Sequence, residues 1–259
     1  MKNEIIKVIK IGGKIIEDED KLQSFLKDFS AIKSPKILVH GGGKLASEIG
    51  EKLGHQTKMI DGRRITDANA LKTITMVYGG LINKTLVAKL QRLGCNAIGL
   101  CGADGQSIIS KKRPVKEIDY GLVGDIEKVN TQFIFLLLDQ NLIPVFSAIS
   151  YSEQDGLLNT NGDSIASEIA VQLGKSAKTE LYFCSEKKGV LADVNDDSSV
   201  VPSLDFMKYE NLLKEKRINE GMLPKLHNCF QALKNGVSTV YLGDFTLLQS
   251  KSVHTKIVQ

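Results

Sequence analysis

The chain has 259 residues, of which 42% are hydrophobic and 25% are charged. This is the composition of a globular protein, and it excludes a chain that is disordered, collagen-like or coiled coil throughout. The formal net charge of +4 is mildly basic, which suits a small anionic substrate and does not require nucleic acid as a partner. No stretch approaches the roughly 18 apolar residues of a membrane span, so no membrane partner is predicted.

Apolar runs of strand length alternate with amphipathic runs of helix length along the whole chain. In chain order the predicted elements are a strand at 4–10, a helix at 20–30, a strand at 36–40, a helix from 44 to about 53, a long helix at 67–94, a strand at 96–101, hairpin strands within 106–128, a helix near 131–140, a strand at 143–148, a helix at 161–173, a strand at 180–184, helices at 205–216 and 222–234, and a strand at 238–242. This alternation is typical of βαβ units and predicts an α/β fold with a mostly parallel sheet covered on both faces. In the long helix, Thr66 is the predicted N-cap, and Gly79-Gly80 is expected to weaken or bend the middle.

Two glycine loops follow the first two predicted strands. Lys10 ends the first strand just before Gly12-Gly13, and Gly41-Gly42-Gly43 joins the second strand to a helix. Glycine lets backbone N–H groups approach an anion closely, and a helix N-terminus adds partial positive charge. Because ligands of parallel α/β sheets bind at the carboxyl ends of the strands, the two loops and the lysine indicate a site for a chain of phosphates.

The second loop also leaves an alternative open. It lacks the P-loop pattern, since no serine or threonine follows Lys44. Gly41, Gly43 and Ala46 do fit G-x-G-x-x-A, with Asp61 at a suitable distance for a ribose contact. That fingerprint normally follows the first strand, so a dinucleotide-dependent oxidoreductase is the weaker alternative.

Three polar residues cluster before and at the start of the helix at 161–173. They are Asn159, Asn161 and Asp163. One such residue suffices to cap a helix, so both ligand contact and capping remain open for this cluster.

Basic residues stand at two further predicted helix starts. Arg63 and Arg64 place two guanidinium groups before the long helix, which suits binding of a carboxylate. Lys225 lies in the first turn of the helix at 222–234, where its charge opposes the helix dipole. That unfavourable placement indicates a functional role for Lys225.

Other features are interpreted as structural. His40 adjoins the second glycine loop and is expected to support it. The basic run Lys111-Lys112-Arg113, with Lys116 nearby, is interpreted as a solvated hairpin tip, with a functional patch as the alternative. The cysteines show neither CxxC nor metal-ligand spacing, so no metal site is predicted, and buried reduced thiols predict a cytoplasmic protein.

The motifs together resemble a known family. They are KIGGK at 10–14, VHGGGK at 39–44, DGRRIT at 61–66, LLNTNGDSIA at 157–166 and GMLPK at 221–225. They are similar to motifs of the amino acid kinase family, and their order and spacing are most similar to those of members that phosphorylate an N-acylated glutamate. The resemblance covers essentially the whole chain, and the combination is specific although each motif alone is weak.

The resemblance implies a fold and an assembly. The fold is an open, mostly parallel eight-stranded sheet between helical layers, in a single domain over 1–259 with two lobes. The lobe at about 1–155 would bind the acylglutamate, and the lobe at about 156–259 would bind ATP, with Mg²⁺ carried by the nucleotide. The implied assembly is a homodimer with the 67–94 helix at its interface.

The same resemblance implies residue roles. Lys10 and Lys225 would stabilise the transferring phosphoryl group, and Asp163 would hold the two lysines in place. The substrate-binding residues would be Gly42, Gly43, Arg64 and Asn159, and the nucleotide- or phosphate-binding residues would be Gly12, Gly13, Glu186, Gly189, Leu191 and Asn219.

The chain departs from the family pattern at several points, one of which is His254-Thr255 near the C-terminus, where the family commonly has Gly-Thr. The segment from Cys184 to Gly189 replaces the usual Ser/Thr-Asp-Val-x-Gly, which leaves the adenine-side contacts open. Arg63 stands where the family usually has an apolar residue. Either Arg63 faces solvent, or it binds a second anionic group on the substrate, such as the carboxylate of a succinyl group in place of acetyl.

The implied reaction is ATP-dependent phosphorylation of the γ-carboxylate of N-acetyl-L-glutamate, or of a close analogue such as N-succinylglutamate, in arginine biosynthesis. A carboxylic acid with a pKa of about 4.3 is ionised at neutral pH, so no general base is required. Transfer then depends on positioning and charge stabilisation. Another carboxylate or carbamate kinase of the same fold, the oxidoreductase and a non-catalytic amino-acid-sensing module are the alternatives.

Overall fold

The structure is a computed structural model that describes residues 4–60, 63–193, 195–215, 218 and 222–259. The strands are β1 (Ile6–Ile11), β2 (Lys36–His40), β3 (Met59–Ile60), β4 (Arg63–Arg64), β5 (Ala97–Leu100), β6 (Ile108–Lys112), β7 (Gly124–Val129), β8 (Ile143–Ser147), β9 (Ile149–Ser152), β10 (Gly156–Asn159), β11 (Thr179–Cys184), β12 (Ser203–Leu204), β13 (Thr239–Gly243) and β14 (Thr255–Ile257). The helices are α1 (Gly13–Glu17), α2 (Glu19–Ala31), α3 (Gly43–Lys52), α4 (Ala68–Ile74), α5 (Asn83–Arg92), α6 (Thr131–Asp139), α7 (Gly162–Gly174), α8 (Phe206–Lys214) and α9 (Leu223–Lys234).

Among the described residues, eight strands form one large sheet. Their order is β12-β14-β13-β11-β1-β2-β8-β5. Parallel pairs include β1 with β11, β11 with β13, and β8 with both β2 and β5, whereas β13 and β14 are antiparallel. The predicted α/β fold with an eight-stranded, mostly parallel sheet is therefore confirmed.

The chain divides into two compact units. The first comprises Met1–Lys36 and Ala166–Gln259, and the second comprises Ile37–Ile165. Residues 1–36 thus group with the C-terminal part of the chain, whereas the sequence-based prediction assigns them to the acylglutamate-binding lobe. Which ligand each lobe binds stays a prediction.

The first unit is built around a fully buried aromatic and aliphatic core. Phe25 and Phe29 on one face of α2 are buried together with Phe183 of β11. Asp18 caps α2, since its side chain accepts a hydrogen bond from the Lys21 N–H. At the other end, the buried Lys36 ammonium donates to the carbonyl of Phe29 and to two further carbonyls, which satisfies groups that a helix C-terminus leaves unpaired.

In the second unit the predicted long helix is present, but its start and its middle differ from a regular helix. Asp67, not Thr66, is the N-cap, because the Asp67 side chain accepts from the Ala70 N–H at 2.8 Å. Thr66 instead pairs with Gly121 in a β-bridge. Between α4 and α5 the stretch Thr75–Ile82 is π-helical and contains the two glycines that were expected to perturb it.

A second, four-stranded sheet in the same unit has the order β10-β9-β6-β7. The antiparallel pair β6–β7 is the predicted hairpin within 106–128. The antiparallel pair β9–β10 was not predicted, because its short strands follow β8 almost without a break. The pair ends at Asn159, directly before the loop that opens α7.

Candidate active site

The glycine loop after β2 requires glycine for steric reasons. Gly42 has a φ of +151°, and a Cβ atom there would collide with the Ile82 side chain and lie 3.4 Å from the Tyr78 ring. The loop leads into α3, whose N-terminus has no side-chain cap within the described part of the chain. No side chain therefore occupies the backbone N–H groups of the first turn as a cap, and the anion site expected at this loop stays a prediction.

His40 supports this loop from inside the protein. It is fully buried, and Asn83 Nδ2, which also donates to the Val145 carbonyl, donates to His40 Nε2 at 3.0 Å. His40 Nδ1 must therefore carry the proton and donate to the Gly41 carbonyl at 2.9 Å. Burial lowers the pKa of His40 to about 4, so the ring is neutral and structural, as predicted.

This buried histidine predicts a pH-dependent stability. In the unfolded chain His40 titrates near 6.5, whereas in the folded protein it stays neutral to about pH 4. Between these values the unfolded state binds more protons, so the free energy of unfolding falls as the pH falls, and above the range there is no effect. Lowering the pH from about 7.5 to about 5 should therefore reduce the free energy of unfolding by about 2 kcal/mol through His40.

Denaturant unfolding of wild type and of His40→Asn at the two pH values measures this contribution. The asparagine amide keeps a donor near Gly41 but does not titrate. The variant is expected to lose less stability than wild type over the interval, and equal losses would show that His40 is not the titrating group.

Arg64 is held against the glycine loop by uncharged partners. Its Nη2 donates to the Gly43 carbonyl at 2.6 Å and to Ser47 Oγ at 2.8 Å, and its Nη1 donates to Thr57 Oγ1 at 2.8 Å. Burial raises the pKa of Tyr78. The positive charge of Arg64 opposes that rise, because the guanidinium lies close to the phenol. No carboxylate among the described residues pairs with Arg64, so its charge remains available to an anionic ligand.

Asn159 is brought to the same place. Its side-chain amide donates to Thr66 Oγ1 at 3.0 Å, and Thr66 Oγ1 in turn donates to the Arg64 carbonyl at 3.2 Å. The Asn159 backbone N–H donates to the Leu122 carbonyl at 3.0 Å. One hydrogen-bonded network in the second unit thus joins three residues that were predicted separately from sequence, namely Gly43, Arg64 and Asn159.

The other two members of the predicted Asn/Asp cluster have different surroundings. The Asn161 side chain accepts from the N–H groups of Asp163 and Ser164, at 2.8 and 3.1 Å, and so caps α7. The capping alternative is therefore correct for Asn161. Asp163 lies in the first turn of α7, and its predicted role of holding the two lysines stays a prediction.

In the first unit the two predicted lysines lie around the carboxyl end of β11. Lys10 is in register with Phe183, and the Lys225 ammonium lies 5.7 Å from the centroid of the Phe183 ring. Burial raises the pKa of the next residue, Cys184, and the positive charges of Lys10 and Lys225 oppose that rise. The structure therefore brings together two cations that lie far apart in sequence.

The first glycine loop packs beside these lysines. The Gly12 N–H donates to the Cys184 carbonyl at 3.0 Å, and a Cβ at Gly12 would lie 3.4 Å from that oxygen. Gly13 opens the short helix α1. Glu186, predicted to contact the nucleotide, forms an exposed ion pair of 2.6 Å with Lys14.

Gly189 and Leu191, also predicted to contact the nucleotide, lie in the segment that follows β11. A Cβ at Gly189 would lie 2.5 Å from Thr255 Oγ1, so the close approach of β14 requires glycine there. Leu191 forms a bridge with Val200. Asn219 lies outside the described residues, as do Asp61, Gly62 and Gly221 of the quoted motifs. The nucleotide-binding roles of Gly189, Leu191 and Asn219 stay predictions.

Comparison with known proteins identifies the family. The model of the Amino acid kinase family matches residues 6–244. This chain belongs to the amino acid kinase family.

Individual relatives agree with the family match. The chain is 50% identical over 257 residues to the acetylglutamate kinase of Cytophaga hutchinsonii, with 97% of each chain covered. It is 49% identical over 239 residues to the acetylglutamate kinase of Parabacteroides distasonis, with 92% of this chain and 94% of the relative covered. The crystal structure of smu.665 from Streptococcus mutans UA159 matches with a TM-score of 0.79 and 26% identity, covering 98% of both chains. As a member of the amino acid kinase family the protein is a kinase, and the oxidoreductase alternative is wrong.

Several side chains around Arg64 of this amino acid kinase were not predicted from the sequence. These are Ser47, Thr57, Thr66 and Tyr78. Two carried a local signal, because Ser47 lies one turn after Gly43 on the same face of α3 and Thr66 lies two residues after Arg64. Thr57 and Tyr78 carried none, since tertiary packing alone brings them to the guanidinium.

The described residues offer neither a preformed metal site nor a membrane span. Within these ranges, no three histidine, cysteine, aspartate or glutamate side chains are grouped so that they could hold a metal ion. In the same residues, no helix combines the length and the apolar character needed to cross a membrane.

Proposed function

We propose that this amino acid kinase transfers the γ-phosphoryl group of ATP to the γ-carboxylate of N-acetyl-L-glutamate or of a close N-acyl analogue. The observation that carries the proposal is the network that joins Gly43, Arg64, Thr66 and Asn159 around an unneutralised guanidinium. The relatives at about half identity, which are named acetylglutamate kinases, support the same acceptor.

The substrate would be held by its α-carboxylate and its acylamide. The Arg64 guanidinium can bind the α-carboxylate in a fork geometry. Asn159 and the N–H groups around Gly42 and Gly43 supply neutral hydrogen-bonding groups for the rest of the acylglutamate. The fixed position of Arg64 against the Gly43 carbonyl pre-organises this arrangement.

The chemical step would be a direct displacement. An oxygen of the ionised γ-carboxylate forms a bond to the γ-phosphorus, the bond from that phosphorus to the β,γ-bridging oxygen breaks, and ADP leaves with the electron pair. The products are an acyl phosphate and ADP, and no proton has to be removed from the acceptor. The positive charges of Lys10 and Lys225 would stabilise the negative charge that spreads over the transferring phosphoryl oxygens.

The metal would enter with the nucleotide. Mg²⁺ keeps several waters and is usually bound through substrate phosphates with one or two carboxylates, so no dedicated protein cage is needed. It would neutralise phosphate charge, while Gly12 and Gly13 line the phosphate site and Glu186, Gly189 and Leu191 contact the nucleotide.

A coupled ADP-release assay tests the proposed function. With MgATP, N-acetylglutamate and N-succinylglutamate are compared with glutamate, aspartate and carbamate, and hydroxylamine traps the acyl phosphate as a hydroxamate. Turnover with an N-acylglutamate and hydroxamate formation are expected. Turnover with only a non-acylated acceptor would instead support another carboxylate or carbamate kinase of the same fold.

We further propose a homodimer formed through the long helix of the second unit. Met76 and Leu81, one i→i+5 turn apart in its π-helical stretch, are 54% and 52% exposed. Exposed large apolar side chains on a helix favour a protein interface when they lie together.

Light scattering of Met76→Lys and Leu81→Lys tests the dimer. Each variant should shift the protein from dimer toward monomer. Leu136→Lys is the matched control, because Leu136 is a 58% exposed leucine on α6 of the same unit. A monomeric wild type, or an equal shift in the control, would contradict this interface.

We propose that the enzyme acts in the cytoplasm, in arginine biosynthesis. None of the four cysteines, all within the described residues, is joined in a disulfide, and three of them are buried. Reduced buried thiols are typical of a reducing compartment.

A further inference from the structure

Tyr78 is a buried side chain at the candidate acylglutamate site, and the proposed function gives it no role. A Cβ atom at Gly43 would lie 3.6 Å from the Tyr78 hydroxyl and 3.9 Å from Arg64 Nη2. The phenol and the guanidinium therefore face the same space beside Gly43, and glycine at this position leaves that space open. All three residues belong to the second unit.

The hydroxyl proton of Tyr78 is available to a ligand. The Arg64 side chain contains only hydrogen-bond donors, so it cannot accept this proton. Among the residues that the structure describes, no other group accepts a hydrogen bond from this hydroxyl. Burial raises the pKa of Tyr78, so the phenol is uncharged at neutral pH and keeps the proton that it can donate.

The guanidinium of Arg64 does not satisfy a carboxylate by itself. It already donates three hydrogen bonds, to Thr57, Gly43 and Ser47, which leaves only part of its donor set for a ligand. A carboxylate, in contrast, can accept hydrogen bonds at about four lone-pair positions. A neutral donor beside the guanidinium can supply a further charge-assisted hydrogen bond, and the Tyr78 hydroxyl is such a donor.

The π-helical stretch Thr75–Ile82 explains why a residue of the long helix reaches this space. Asn83, directly after the stretch, donates to His40 below the glycine loop. In a regular α-helix of about 3.6 residues per turn, Tyr78 and Asn83 would point about 140° apart around the axis. The wider i→i+5 winding brings them closer to one face, so both side chains reach the same glycine loop.

We propose that Tyr78 is a substrate-binding residue whose hydroxyl donates to the carboxylate that Arg64 binds, the α-carboxylate of the acylglutamate. The inference rests on the proposed function, which supplies the acceptor and the role of Arg64. Tyr78 then determines specificity together with Arg64, because both favour an acceptor whose α-carboxylate is free.

Tyr78→Phe tests this contact, since phenylalanine keeps the ring that lies against Gly42 and removes only the hydroxyl. The substrate is N-acetyl- or N-succinyl-L-glutamate, whichever wild type turns over better. Its KM, and its Kd measured by calorimetry without nucleotide, should rise about tenfold or more, as expected for a lost hydrogen bond to a charged group. KM for ATP and the unfolding temperature should stay close to wild type.

Tyr151→Phe is the matched control. Tyr151 is a partly buried tyrosine of β9 in the same unit, and neither the substrate nor the nucleotide is assigned to it. This variant should keep the wild-type KM and Kd values.

A change in the substrate tests which group Tyr78 contacts. In the α-amide of the same N-acylglutamate, an uncharged carboxamide replaces the α-carboxylate and the γ-carboxylate is retained as acceptor. Because hydrogen bonds to ionised groups are about twice as strong as neutral ones, Tyr78→Phe should weaken binding of the amide less than binding of the acid. The preference of wild type for the acid over the amide should therefore shrink in the variant.

The outcomes separate this inference from the proposed function. The role of Tyr78 is overturned, and the proposed function left intact, by a folded Tyr78→Phe that keeps the wild-type KM and Kd for the acylglutamate. Equal increases in the KM values for ATP and acylglutamate, or an equal loss with acid and amide, overturn it as well, since a merely structural role would produce them. A wild type that turns over no N-acylglutamate overturns both proposals.

Discussion

Replacing Lys10 or Lys225 by alanine is expected to lower kcat by about 10²–10³-fold, the usual cost of removing one pre-organised charge at a developing anion. The expectation follows from their geometry, since both lysines lie around Phe183 and Cys184 at the end of β11. Such a loss is specific to the transition state, so KM for ATP and for the acylglutamate should change much less than kcat.

Matched controls exist on the same elements. Lys7 lies nearer the start of β1, with its ammonium over the Tyr182 ring, and Lys234 lies in the last turn of α9. Lys7→Ala and Lys234→Ala remove the same charge from the same strand and helix. They should retain wild-type kcat, and a kcat for Lys10→Ala or Lys225→Ala within about threefold of wild type would refute the catalytic role of that lysine, because a lost transition-state charge costs far more.

Arg64→Lys is expected to raise KM for the acylglutamate by about 10–100-fold and to leave KM for ATP nearly unchanged. The side chain of Arg64 already donates to Thr57, Gly43 and Ser47. A lysine ammonium, with its donors on a single atom, cannot keep these partners and also grip a carboxylate in two places. The positive charge is conserved, so the effect measures geometry.

Arg92→Lys serves as the control for this substitution, since Arg92 is exposed in the last turn of α5. Thermal unfolding of both variants shows whether the fold around the glycine loop survives. Equal increases in the two KM values, with an intact fold, would place Arg64 outside the acylglutamate site.

Local sequence determined most of the regular structure. The strand at 36–40 and the helices of α2, α6 and α9 lie within a residue or two of their predicted bounds, because apolar periodicity fixes which residues can be buried on one face. The alternation of these elements was enough to predict a mostly parallel sheet. Gly42 was also identifiable from sequence, since consecutive glycines after a strand indicate a loop that side chains would block.

Long-range contacts decided what local pattern could not. Thr66 has the chemistry of an N-cap, but its backbone pairs with the segment at 120–122, and Asp67 takes the cap. The short strands β12 and β14 depend on each other and on β13, so neither carries a signal of its own. Asn161 and Asn159 are alike in sequence, yet one caps a helix and the other reaches Thr66, a residue far away in the chain.

A cavity of the second unit, lined by charged side chains that include Arg63, Arg113 and Lys116, shows the same division between sequence and tertiary structure. The sequence contains a basic run on a hairpin and an unexpected arginine before a helix, and each alone has an ordinary explanation as a solvated surface group. Only the folding of β4 beside the segment at 113–120 places Arg63 in the same cavity as Arg113 and Lys116. The sequence by itself thus determined the fold class and the residue types of the candidate phosphate and carboxylate sites, because these depend on local backbone and side-chain chemistry. The tertiary structure alone decided which charged side chains lie together, because that depends on distances between segments far apart in the chain.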